Sequence, residues 1–154
     1  MKRKILNNSI SVIIATTLVS DDLLPVYVCV VDDEADLAYL FKDALNQIEG
    51  IEVSAFCDPR MALEHFRSNS NNYKVVVTDY RMPAMTGLEL LEKIKAINPS
   101  VTTILTSAFE VTDQLIEECN CVDRFLQKPI SMVKLIDEVE MLVNPMRVPR
   151  NTTR

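Results

Sequence analysis

The sequence predicts an α/β fold, an open parallel sheet with helices on both faces. Three observations carry that expectation. From Pro25 onward, short apolar segments rich in β-branched residues alternate with amphipathic ones. The first of them, Val26–Val31, is apolar throughout, as expected of a strand buried on both faces. Four of the segments each end in polar groups, namely Asp32-Asp33, Asp79, Thr106-Ser107 and Lys128-Pro129. In an open parallel sheet that carboxyl edge is where ligands bind.

The elements follow in order. After Val26–Val31, residues 34–48 read as a helix with Leu37, Leu40, Phe41, Ala44, Leu45 and Ile48 on one stripe. Gly50 suits a left-handed cap. Ile51–Phe56 is the second strand. Asp58-Pro59 supplies an N-cap followed by proline at the first helical position, and that helix is expected to run to about Arg67. The polar run 68–72 is a surface loop. Residues 75–78 form the third strand, which ends at Asp79. A loop over 80–86 carries Pro83. The third helix begins near Gly87, turns Leu90, Leu91, Ile94 and Ile97 inward, and stops at Asn98-Pro99. Residues 102–105 are the fourth strand, and Val111, Leu115, Ile116 and Cys119 mark a short fourth helix. Arg124–Gln127 is the fifth strand. Ser131 caps the last helix, whose stripe is Met132, Leu135, Ile136, Val139, Leu142 and Val143.

The 154 residues suit one domain, and 48% of them are apolar, enough for a single core. The domain is expected over 25–143, with a polar tail over 144–154. Residues 1–24 stand apart. Lys2-Arg3-Lys4 precede an uncharged stretch over 5–20 that is diluted by Asn, Ser and Thr. Three readings compete there: a disordered or loosely docked extension, a membrane anchor and a cleaved signal. The first is preferred, because the stretch is short for a span and the cleavage site is poor.

A formal charge of −6 argues against a nucleic-acid surface, which needs clustered Lys and Arg, and fits a protein partner. With only two glycines and no G-x-x-x-x-G-K, a Gly-rich phosphate loop is excluded. Of the four cysteines, Cys29 sits in a strand and acts as a small hydrophobe. Cys119-Asn120-Cys121 lacks the C-x-x-C spacing of common zinc sites, and one histidine cannot complete a ligand set. Free thiols in a reducing cytosol are therefore expected.

Three carboxylates gathered at one edge resist ionising together, and a divalent cation removes the conflict. Mg²⁺ is typically held by one or two carboxylates, waters and phosphate oxygens. A carboxylate also attacks phosphorus to form an acyl phosphate. Charge on the transferred oxygens then needs a metal and cationic or hydroxyl donors, for which Lys128 and Thr106 are candidates.

Four blocks, Val30-Val31-Asp32-Asp33-Glu34, Val77-Thr78-Asp79-Tyr80-Arg81-Met82-Pro83, Ile104-Leu105-Thr106-Ser107 and Phe125-Leu126-Gln127-Lys128-Pro129-Ile130, resemble the receiver domains of two-component response regulators in order and spacing. The resemblance covers about Pro25 to Val143. It implies a doubly wound five-stranded parallel sheet of order 2-1-3-4-5 with five helices, the flavodoxin-like receiver fold. It implies Asp79 as phosphoacceptor, with Mg²⁺ held by Asp32, Asp33, Asp79 and the backbone carbonyl of Arg81. Thr106 is the implied switch hydroxyl, with Ser107 as the alternative. Lys128 is the phosphate-pairing lysine, a cis bond is expected before Pro129, and Phe125 matches the aromatic that changes rotamer on activation. His65 lies on the exposed side of the second helix, so no internal phosphoryl donor is expected. The donor is then a histidine kinase, a phosphotransfer protein or a small acyl phosphate. The implied protein is a cytoplasmic stand-alone receiver that is not a metabolic enzyme, with a partner face on the fourth helix, fifth strand and fifth helix. The alternative is a degenerate or membrane-tethered receiver-like module that binds without phosphorylation.

Overall fold

A computed structural model describes residues 25–109 and 119–145. Five parallel strands form one sheet in the order β2-β1-β3-β4-β5. They are β1 (Val26–Val31), β2 (Ile51–Phe56), β3 (Tyr73–Asp79), β4 (Thr102–Ser107) and β5 (Arg124–Gln127). Four helices lie among the described residues: α1 (Ala35–Leu45), α2 (Pro59–Asn69), α3 (Gly87–Ile97) and α4 (Met132–Val143). The helix expected around Val111, Leu115 and Ile116 falls outside the described residues, as do residues 1–24 and 146–154. Among the described residues no helix is long and apolar enough to cross a membrane.

Strand side chains alternate between two cores, because successive residues of a strand face opposite sides. Cys29, Val31, Val76 and Leu105 meet Leu63 and Phe66 of α2 and Leu90, Leu91 and Ile94 of α3. Val28, Val30, Val75, Val77, Ile104 and Leu126 meet Phe41 and Leu45 of α1 and Leu135 and Val139 of α4. Covering helices on both faces explain why the central strands read as unbroken apolar runs.

The helix ends follow their capping chemistry. The Asp58 carboxylate accepts from the Arg60 N–H at 2.8 Å, with Pro59 opening α2. Ser131 accepts from the Lys134 N–H at 3.1 Å to cap α4. Gly50 takes the left-handed conformation expected of it, with φ of 80°. At α3 the Thr86 hydroxyl and the Glu89 side chain form a reciprocal capping box.

Several sequence expectations need correcting. Leu40 is 50% exposed, because the buried stripe of α1 runs through Ala38, Phe41, Ala44 and Leu45 and leaves Leu40 beside it. Ile97, at the last turn of α3, is also exposed. β3 starts earlier than expected, at Tyr73, which pairs with Tyr27 and stacks its buried ring on Phe66. Cys29 and Cys57 are free thiols as expected, but Cys119 and Cys121 are joined by a disulfide. Asn120 between them has φ of 48°, a turn that brings the two side chains together.

Candidate functional site

The register sets the site. In β3–β4 pairing Asp79 stands opposite Thr106, and in β4–β5 pairing Thr106 stands opposite Leu126 and Ser107 opposite Gln127. Asp32 follows directly on β1, its N–H donating to the Phe56 carbonyl at 3.1 Å. Lys128 follows β5, its N–H donating to the Ser107 carbonyl at 2.7 Å. The Lys128–Pro129 peptide bond is cis. Four strand ends therefore deliver acid, acid, hydroxyl and ammonium to one edge.

Lys128 is the centre of the arrangement. Its ammonium donates to Asp32 Oδ2 at 2.8 Å and contacts Asp79 Oδ1 at 2.6 Å. The other oxygens are used by backbone: Asp32 Oδ1 accepts from the Glu34 N–H at 3.0 Å, and Asp79 Oδ2 accepts from the Arg81 N–H at 2.8 Å. Asp32 is only 2% exposed and Asp79 8%. Asp33, one residue on, is exposed at the rim.

Two buried acids thus share one cation. Burial pushes the Asp32 carboxyl above its ordinary value; Lys128 and the Glu34 N–H oppose that rise, and the Asp79 charge adds to it. Burial pulls the Lys128 ammonium down, but its hydrogen bonds to Asp32 and Asp79 outweigh burial and hold its pKa above the ordinary lysine value. The surplus negative charge and the all-oxygen donor set suit a hard divalent cation. Asp32 and Asp79 are the carboxylates brought together here, through Lys128, with Asp33 exposed beside them.

The hydroxyls are buried and differently engaged. Thr106 Oγ1 donates to the Thr78 carbonyl at 3.3 Å, while Ser107 Oγ accepts from the Phe109 N–H at 3.0 Å. Phe125 packs, half-buried, against the core that also holds Leu88, Leu91 and Cys121.

Three features were not foreseen from sequence. A Cβ on Gly87 would lie 2.2 Å from the Asp79 carbonyl oxygen, so only glycine lets α3 start against the end of β3. Met82 is buried, with Thr78 Oγ1 4.0 Å from its sulfur. The Arg81 guanidinium sits 3.6 Å from the centroid of the Phe109 ring, stacking two loops together at the mouth of the site. The T-x-x-E spacing of Thr86 and Glu89 was the available signal for the start of α3.

Comparison with known proteins bears on this edge. The family model "Response regulator receiver domain" matches residues 28–140. The chain is 31% identical over 120 residues to the probable transcriptional regulatory protein TcrX of Mycobacterium tuberculosis, covering 77% of this chain and 50% of that one. It is 26% identical over 118 residues to the chemotaxis protein CheY of Pseudomonas aeruginosa, covering 75% of this chain and 94% of that one. Among solved structures, the Francisella response regulator 1452 receiver domain is 33% identical with a TM-score of 0.66, covering 79% of this chain and 98% of that one. Apart from the CheY match, the chain spans half or less of many of the curated relatives it matches, as with TcrX.

Proposed function

Because the chain belongs to the response regulator receiver domain family, we propose that it is a phosphorylation-controlled protein-binding switch with Asp79 as its phosphoacceptor. The observation that carries this reading is Lys128 Nζ standing 2.8 Å from Asp32 Oδ2 and 2.6 Å from Asp79 Oδ1 at a buried strand edge. An acid at the carboxyl edge of the sheet with an ammonium beside it supports phosphoryl acceptance.

In the proposed reaction a carboxylate oxygen of Asp79 forms a bond to phosphorus as the donor's phosphoryl bond breaks. The donor is a histidine kinase, a phosphotransfer protein or a small acyl phosphate. Lys128 leaves its place between the two acids to pair with an oxygen of the incoming group. Asp32, Asp33, Asp79 and the Arg81 carbonyl would hold Mg²⁺. Bound there, the ion neutralises charge on the phosphoryl oxygens.

The added charge is the switch. Thr106 stands opposite Asp79 in the sheet, and its hydroxyl is spent on a long bond to the Thr78 carbonyl. A phosphoryl oxygen is a stronger acceptor and draws that hydroxyl away. Phe125 then follows into the vacated space, which alters the face that carries β5 and α4, where a partner docks. A receiver of this kind works in the cytoplasm, where its phosphoryl donors are.

The test is labelling with acetyl phosphate and Mg²⁺, read as an added phosphoryl mass by intact-protein mass spectrometry. The wild-type chain is expected to take up one phosphoryl group, and Asp79→Asn none. Continued labelling of Asp79→Asn would end the assignment. An unlabelled wild type that also ignores Mg²⁺ would favour a module that binds without phosphorylation.

A further inference from the structure

Away from the carboxyl edge, a second group of donors converges on α3. Cys119 and Cys121 flank the turn at Asn120, with Cα atoms 5.1 Å apart. Cys121 is buried, and its sulfur lies 3.8 Å from the Leu88 carbonyl. Glu92 stands one helical turn after Leu88 on the same face of α3. A carboxylate oxygen of Glu92 and the two cysteine sulfurs all lie within 4.8 Å of one another.

We propose that Glu92, Cys119 and Cys121, once the cysteines are reduced, form a binding site for a thiophilic divalent cation of the zinc class. Two thiolates and a carboxylate are three ligands of a type zinc accepts, and a water completes the tetrahedron. The sequence alone argued against such a site for want of a third ligand. The fold supplies it from α3, 27 residues earlier than Cys119. The donor set differs in kind from the all-oxygen edge: sulfur selects soft or borderline cations, whereas carboxylates alone suit Mg²⁺.

The disulfide makes the site conditional. A dithiol reductant delivers two electrons and two protons, the Cys119–Cys121 bond becomes two thiols, and the reductant closes its own disulfide. The cation then displaces both thiol protons as two sulfur–metal bonds form. Bound there, it would clamp α3 to the link that enters β5. Cys121 belongs to the same apolar core against which Cys119, Leu88 and Phe125 pack.

The experiment uses the full chain with Cys57→Ser, which removes the exposed single thiol. Cys29 is buried, with its thiol pushed up to about 12, and does not compete. The chain is reduced with a phosphine, desalted without oxygen and titrated with Cd²⁺ in excess Mg²⁺, which occupies the carboxyl edge. The readout is thiolate-to-cadmium charge-transfer absorption, which carboxylates do not give. Zn²⁺ affinity is then measured by competition with a chromophoric chelator. One equivalent is expected in the reduced chain and none in the oxidised chain. Cys119→Ser and Glu92→Gln, both at accessible positions, are expected to weaken Zn²⁺ binding by about tenfold or more. No absorption in the reduced chain would overturn the proposal. So would Zn²⁺ affinity in Glu92→Gln equal to that of the parent.

Discussion

At the end of β1, Asp32 is buried beside a second carboxylate, with one ammonium between them. Its folded pKa lies above the ordinary carboxylate value, chiefly through burial. The folded chain therefore binds that proton more tightly than the unfolded chain does. The burden is absent well below the ordinary carboxylate range and grows as pH rises through the folded value. Asp32→Asn, studied without divalent cation, is thus expected to raise stability by about 1 kcal/mol at pH about 7, in the range usual for relieving a strained site. The gain should shrink as pH falls toward about 4, the ordinary aspartate value. Urea midpoints at the two pH values check it, and a loss of stability in the variant at neutral pH would contradict it. These acids and Lys128 were legible in the sequence because each is the polar residue that closes an apolar run. The Arg81–Phe109 stack and the Glu92–cysteine group were not. Each joins residues on different elements, and only the docking of those elements sets the distance.

Among the elements, α3 depends on its first turn. Gly87 lies against the Asp79 carbonyl, and its N–H donates to the Tyr80 carbonyl at 2.9 Å. A methyl group there has backbone as its neighbour, which does not yield as a flexible side chain does. Gly87→Ala is expected to cost about 2–3 kcal/mol by overpacking and to slow labelling of Asp79, because the loop that follows the acid must shift. Denaturation and acetyl phosphate kinetics on the same sample check both effects, and a variant as stable as the parent would refute the close approach. Strand positions and helix caps were readable because burial and capping act locally. The stripe of α1 was misread at Leu40 because its inward face is set by where α4 packs, which periodicity does not reveal.

For the molecule as a whole, two cores and one charged edge are held together by a single sheet. A cation that binds only the folded chain should stabilise it by mass action, about 2.7 kcal/mol at a hundredfold excess over Kd. Mg²⁺ is expected to raise the melting temperature of the wild type, and to raise it less in Asp33→Asn, whose side chain is exposed at the rim. An equal shift in both would remove Asp33 from the site. The alternation of segments announced the layered architecture, since parallel strands need crossovers and right-handed crossovers place helices on both sides. The pairing of Asp32 with Lys128 spans 96 residues of chain. A copy that lacks β5, or whose β5 has come loose, keeps both acids and loses their counter-ion. Such a copy leaves two neighbouring carboxylates uncompensated, so the edge is electrostatically complete only once β5 is docked.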